Sequence, residues 1–116
     1  MDTKQIAFKL FKIYDNLMIT LHNKNIVECD KLIIQFRDIT IPLCDIQYIN
    51  NYEIRALIHY VDQFILNFLK MPVHMYRLFY MIIPDFYTFT SQNSLESNRS
   101  QNIINGWMYE YDFEMI

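Results

Sequence analysis

The side chains that could bind a metal or act as nucleophiles are three histidines and two cysteines: His22, His59, His74, Cys29 and Cys44. A zinc site needs Cys or His ligands in close pairs such as CxxC or HxxxH, and neither spacing occurs in the sequence. The G-x-S-x-G motif, which exposes a nucleophilic serine, is also missing from the sequence. We therefore predict no metal site, no bound cofactor and no catalytic residues.

Two acids and an adjacent lysine, Glu28, Asp30 and Lys31, loosely resemble the charged centre of a metal-dependent nuclease. Such a centre also needs a following E-x-K pair and a further acid, and the sequence has neither at a suitable position. Loops that cradle phosphate groups need several glycines, whereas the chain has one, Gly106. We predict that the protein is not an enzyme.

The charge pattern argues against a nucleic-acid partner. The net charge is −3, and the ten basic residues are scattered instead of forming a stripe that could neutralise phosphates. Aromatic residues such as Tyr109 and Tyr111 could stack on bases, but the acids between them would repel the backbone. A protein partner is therefore expected instead of a nucleic acid.

Length and composition indicate one domain, residues 1–116, that can bury a core without disulfides or a metal. The first residues carry frequent charges instead of a signal-peptide core, and no apolar run reaches the roughly 18 residues of a membrane span. We expect a cytoplasmic protein with reduced Cys29 and Cys44, a disulfide between them being the alternative for a secreted chain. Ile, Asn, Tyr, Phe and Met are abundant, and most of them have AT-rich codons. This composition indicates a virus or another compact AT-rich genome.

The clearest helical pattern lies in residues 52–70. Eight large apolar residues recur at spacings of three, four and seven and share one face of a helix: Ile54, Leu57, Ile58, Val61, Phe64, Ile65, Phe68 and Leu69. Asn50 is expected to cap the first turn, with Glu53 three residues on, and Pro72 blocks continuation. Tyr60 lies on the outer surface, where we expect a sheet to cover it.

A first helix is predicted to begin at Asp2 or Thr3, either of which can cap it. Its buried face is formed by Ile6, Leu10, Ile13, Tyr14, Leu17 and Leu21. Phe8 projects among the polar residues, so we identify it as a candidate contact with a partner.

Residues 26–41 support two interpretations. The β-branched content favours a hairpin of strands 32–36 and 39–41, although Arg37-Asp38 is not a favoured turn. The same stretch also fits a helix capped by Asp30, with its apolar residues at a spacing near 3.6. We prefer the hairpin.

The segment from Pro72 to Pro84 is apolar almost throughout, and residues 73–83 fit either a buried strand or a three-turn helix. The aromatic content favours a strand, and residues 85–90 alternate like another. Residues 91–101 are polar and nearly free of apolar side chains, which predicts a mobile loop.

The C-terminal stretch Trp107–Met115 alternates aromatic and acidic residues with period two, the pattern of a strand with one buried face. Asn105-Gly106 just before it is typical of a type I′ hairpin turn, where a glycine supplies the positive φ. We expect an edge strand that pairs with another chain, which would make a homodimer if no other element covers it. The predicted partner-binding residues are Trp107, Tyr109, Tyr111, Phe113 and Phe8.

The elements together predict an α+β fold, an antiparallel sheet with two packed helices in the order α-β-β-α-β-β-β. An all-α helical bundle is the alternative if residues 26–36 and 73–83 are helical. The aromatic content of 16% predicts a non-enzymatic protein-protein interaction module that acts on a host or sister protein. The alternatives are a structural subunit of a larger assembly, or an enzyme or small-ligand carrier with an unrecognised site.

Overall fold

Four α-helices form the part of the chain that the structure, a computed structural model, describes: residues 2–48, 50–67 and 97–114. The helices are α1 (Thr3–His22), α2 (Ile26–Thr40), α3 (Tyr52–Asn67) and α4 (Ser97–Glu114). Two short 3-10 turns, Ile41–Cys44 and Ile46–Tyr48, join α2 to α3. These residues contain no strand, so the predicted α+β fold is wrong and the fold is all-α, as in the alternative.

Helix α1 confirms its prediction. The Asp2 side chain caps it by accepting a hydrogen bond from the Gln5 backbone N–H at 3.2 Å. Leu10, Ile13 and Leu17 are buried on its inner face. The 3.6-residue period identifies this helix because apolar residues three and four apart line one side of it.

Helix α2 replaces the predicted hairpin of strands 32–36 and 39–41. Its cap is Asn25, not Asp30, and the Asn25 side chain accepts a hydrogen bond from the Glu28 N–H at 3.3 Å. Cys29, Leu32 and Phe36 then face the core at helical spacing. Burying these side chains outweighs the β preference of the isoleucines, because β propensity largely reflects how a side chain packs in its surroundings.

The connection between α1 and α2 is a tight helix-ending turn. The Lys24 N–H bonds to the Leu21 carbonyl at 3.1 Å, and the Asn25 N–H bonds to the Thr20 carbonyl at 3.0 Å. Lys24 takes the left-handed conformation that this turn needs, with φ of 58°. A lysine is an unfavourable residue there, because its Cβ crowds the backbone and glycine usually fills the position.

Helix α3 confirms the central helix within the described residues. Ile54, Leu57, Ile58, Val61 and Phe64 are each at most 2% exposed. The cap is Asn51, not Asn50. Its side-chain oxygen accepts from the N–H groups of the second and third residues of the helix, at 3.0 and 3.1 Å.

Helix α4 corrects two predictions about the C-terminus. Residues 107–114 are helical, so the terminal strand and its pairing edge do not exist there. Residues 97–101, assigned to a loop from their polarity, form the first turn of the helix. Gly106 lies in the helix interior without a positive φ, so the predicted Asn105-Gly106 hairpin turn is wrong as well. The predictions for residues 73–83, 85–90 and 91–96 fall outside the described residues.

The helices pack around an aromatic core. The rings of Phe36 on α2 and Phe64 on α3 stack with centroids 4.0 Å apart, and Tyr14 of α1 meets Phe64 edge-on at 5.6 Å. Helices α1 and α3 run side by side in the same direction, since Thr3 donates to the Glu53 carboxylate at one end and Tyr14 meets Phe64 towards the other. Helix α2 runs back along α1 after the short turn at Lys24.

Candidate functional site

A cavity of about 270 Å³ opens between α1, α3 and α4. Among the described residues, five aromatic rings line it: Phe11, Tyr14, Tyr60, Phe64 and Tyr111. The other described lining residues are Asp15, Gln63, Met108 and Asp112. The side chains that could act on a ligand are therefore phenol hydroxyls and carboxylates on an aromatic wall.

One hydrogen bond joins the two sides of this cavity. The Tyr111 hydroxyl on α4 donates to the Asp15 carboxylate on α1 at 3.2 Å. The Tyr111 ring packs edge-on against Phe8 and Phe11, with centroids 5.5 and 5.6 Å away. Its burial, and then the negative charge of Asp15, raise the pKa of the Tyr111 phenol. Tyr111 therefore anchors α4 and stays protonated at neutral pH.

Tyr60 is the most confined polar group of the cavity wall. The residue is 6% exposed and its ring meets Phe11 edge-on at 5.0 Å. Burial is the main reason that the pKa of its phenol is raised, and the nearby Tyr14, Asp15 and Tyr111 add to the shift. Phe11 packs against Tyr60 where a sheet was expected to cover it.

The five predicted partner-binding residues separate into two groups. Tyr111 is buried, and Trp107 and Phe8 are half-buried and pack against the core. Tyr109 and Phe113 are 75% and 72% exposed. These last two are the most exposed of the five predicted residues.

Tyr109 and Phe113 lie on one outer face of α4, because residues four apart in a helix are neighbours. Gly106, three residues before Tyr109, lies on the same face, and a Cβ placed on it would meet nothing within 4 Å. Glu110 beside this face pairs with Lys4 at 3.0 Å. We call Gly106, Tyr109 and Phe113 the outer α4 face.

The histidine and cysteine in the described core have structural roles. His59 Nε2 and the Gln63 amide both lie within hydrogen-bond distance of Gln101 Oε1, at 3.1 and 2.9 Å, and so join α3 to α4. Cys29 is a free, buried thiol that donates to the Thr20 hydroxyl at 3.4 Å, so the alternative disulfide to Cys44 is not formed. No group of three or more metal-binding side chains occurs among the described residues.

Sequence reasoning missed the cavity. Asp15 and Tyr111 are 96 positions apart, and the wall is assembled from three helices. No local spacing connects these residues. The one usable signal was Tyr60, a large aromatic residue on the supposedly outer side of α3 that needed a cover.

Comparison of the chain with protein-family models, with curated proteins and with solved structures finds no match. In the portion of the chain that the structure describes, every helix is too short or too polar to cross a bilayer.

Proposed function

We propose that the chain is a non-enzymatic protein-protein interaction module that binds its partner through the outer α4 face. The observation that carries the proposal is the exposure of Tyr109 and Phe113, 75% and 72%, on adjacent turns of one helix. Aromatic residues are enriched at the centres of protein interfaces because they bury much area at little entropic cost. Two of them side by side form a suitable central contact.

The surroundings of the outer α4 face support a partner with basic residues around an apolar centre. Asp112 and Glu114 are exposed on either side of Phe113. The open surface at Gly106 lets a second helix approach closely, because no side chain stands in its way. Many residues of the chain have AT-rich codons, which supports the further proposal that a virus or a similar compact genome encodes it. We propose a host or sister protein in the cytoplasm as its partner.

The test compares two double variants of the purified chain as baits in extracts of the native host. Y109A/F113A removes the outer α4 face, and I19A/V27A removes two other exposed apolar side chains, 60% and 67% exposed on α1 and α2. We expect a protein that wild type and I19A/V27A both retain and that Y109A/F113A retains roughly tenfold less. Equal retention by all three baits, or a loss confined to I19A/V27A, would contradict the proposal.

A second candidate function is a structural subunit with more than one neighbour. Ile19, Ile26 and Val27 are each more than half exposed near the turn between α1 and α2, away from the α4 residues in sequence. A subunit of this kind should aggregate when purified alone, because two apolar surfaces stay uncovered. A module should run as a monomer or a dimer in size-exclusion chromatography with light scattering.

A further inference from the structure

The cavity between α1, α3 and α4 has a wall that favours a cation over an anion. Aromatic ring faces carry the negative part of the ring quadrupole and attract ammonium groups. The wall also includes the carboxylates of Asp15 and Asp112, and none of the described residues that line it is Lys, Arg or His. A negatively charged ligand would meet repulsion there without any compensating donor of positive charge.

Charged and apolar side chains lie at opposite ends of the cavity. Asp15 and Asp112 are exposed and lie at its mouth, whereas the rings of Tyr60 and Phe64 are buried at 6% and 2% exposure. A ligand that fits this gradient has a charged end towards solvent and an aromatic or aliphatic end inside. Ion pairing at the mouth also avoids the large cost of burying a charge.

Tyr60 supplies a polar atom on the inner wall of the cavity, where the residue as a whole is 6% exposed. A phenol hydroxyl can donate and accept a hydrogen bond, so it offers a contact to a polar atom of a ligand. The volume of about 270 Å³ lies just under the usual range for drug-sized sites, so it suits a single ring with a short chain.

We propose that this cavity binds a small arylalkylamine. The ammonium group lies at the mouth between Asp15 and Asp112, the ring packs among the aromatic side chains, and a ring hydroxyl hydrogen-bonds to Tyr60. The site uses the side of α4 that carries Tyr111 and shares only Asp112 with the surroundings of the outer α4 face.

Four probes of similar shape test the charge requirement by NMR titration of the full chain: tyramine, phenethylamine, 2-phenylethanol and phenylacetate. For ligands of this size we expect phenethylamine to bind with a Kd on the order of 1 mM. Neutral 2-phenylethanol should bind roughly fivefold more weakly, because it lacks the ion pair, and phenylacetate should not bind. Phenylacetate binding as tightly as phenethylamine, or the absence of amine binding at roughly ten times the expected Kd, would overturn the proposal.

Matched variants test the assigned contacts. D112N removes one carboxylate at the mouth and leaves the Tyr111 hydrogen bond to Asp15 in place, so phenethylamine affinity should fall about two- to fivefold. D38N makes the same change on α2, outside the cavity, and should have no effect. Equal affinities for D112N and D38N would refute the placement of the ammonium group.

Y60F tests the inner contact. Wild type should bind tyramine more tightly than phenethylamine by roughly threefold to tenfold, the range of one net hydrogen bond. In Y60F the two amines should bind equally, while phenethylamine affinity stays unchanged. A tyramine preference that survives in a folded Y60F, as judged by circular dichroism, would remove Tyr60 from the site.

Discussion

Helices α3 and α4 pack against each other and have similar lengths, yet they are held in place differently. On α3, Leu57, Val61 and Phe64 are at most 2% exposed, and they form the middle of the core. On α4, Ile104 is fully buried and Tyr111 nearly so, while Tyr109 and Phe113 stay exposed. Helix α3 therefore contributes mainly to stability, whereas α4 has anchors on one side and a free aromatic surface on the other.

Both proposed binding surfaces use α4. Its inner side completes the cavity through Tyr111 and Met108, and its outer side carries the exposed aromatic pair. An interaction surface must remain exposed in the folded chain, so a helix with few anchors can supply one at little cost in core packing. Three sets of variants test how differently α3 and α4 are packed.

The largest expected loss of stability comes from a substitution on α3. Phe64→Ala removes a ring that stacks on Phe36 and meets Tyr14, so it should lower the free energy of unfolding by about 3–5 kcal/mol. Phe113→Ala makes the same chemical change on α4 at a residue 72% exposed and should stay within about 0.5 kcal/mol of wild type. Urea denaturation measures both. Similar losses in the two variants would mean that α4 is as deeply packed as α3.

A smaller effect is expected on the stability of the folded chain at alkaline pH, through the phenol of Tyr60. The pKa of Tyr60 is raised above its usual 10.0, so the folded chain holds this proton more tightly than the unfolded chain does. Stability from this difference is complete below pH 10 and falls as pH rises, because the unfolded chain ionises first. Y60F should therefore lose less stability than wild type between about pH 9 and pH 11.

The matched control for Y60F is Y109F, which changes a residue 75% exposed on α4. Its loss of stability over the same pH range should equal that of wild type. A Y60F profile that coincides with those of wild type and Y109F would show that Tyr60 is not confined as described.

The smallest expected changes in stability come from removing a glycine at position 106 and from introducing one at position 24. Gly106 lies inside α4 with open space around it, so Gly106→Ala should raise the free energy of unfolding by about 0.5–1 kcal/mol. Lys24→Gly relieves a left-handed residue between α1 and α2 and should raise it by about 1 kcal/mol. Thermal unfolding followed by circular dichroism measures both changes. A loss of stability in Gly106→Ala would mean that a side chain at this position meets a neighbouring group instead of open space.

Two helices could be predicted from the sequence with their caps nearly correct. In α1 and α3 the apolar residues recur only at helical spacing, and Asp2 and the asparagines before Tyr52 are local capping residues. The predicted cap of α3, Asn50, is one residue before the observed cap, Asn51. A local pattern suffices in these helices because it supports one secondary structure only.

Helix α2 could not be assigned in this way. Its apolar residues recur at helical spacing, but many of them are β-branched, as is typical of strands. The choice between helix and strand therefore depends on what the side chains contact. Phe36 stacks on Phe64 from a different helix, 28 positions away by residue number, so the deciding contact is not local.

The candidate site shows the same division between sequence and tertiary structure. Aromatic residues alternate with acids in the C-terminal sequence, and a strand would have placed Tyr109, Tyr111 and Phe113 on one face. In a helix, residues two apart point about 200° apart, so Tyr111 turns inward while Tyr109 and Phe113 turn outward. Only tertiary structure chose between these outcomes, because the contacts that hold Tyr111 come from Phe11 and Asp15 on a helix about a hundred residues earlier.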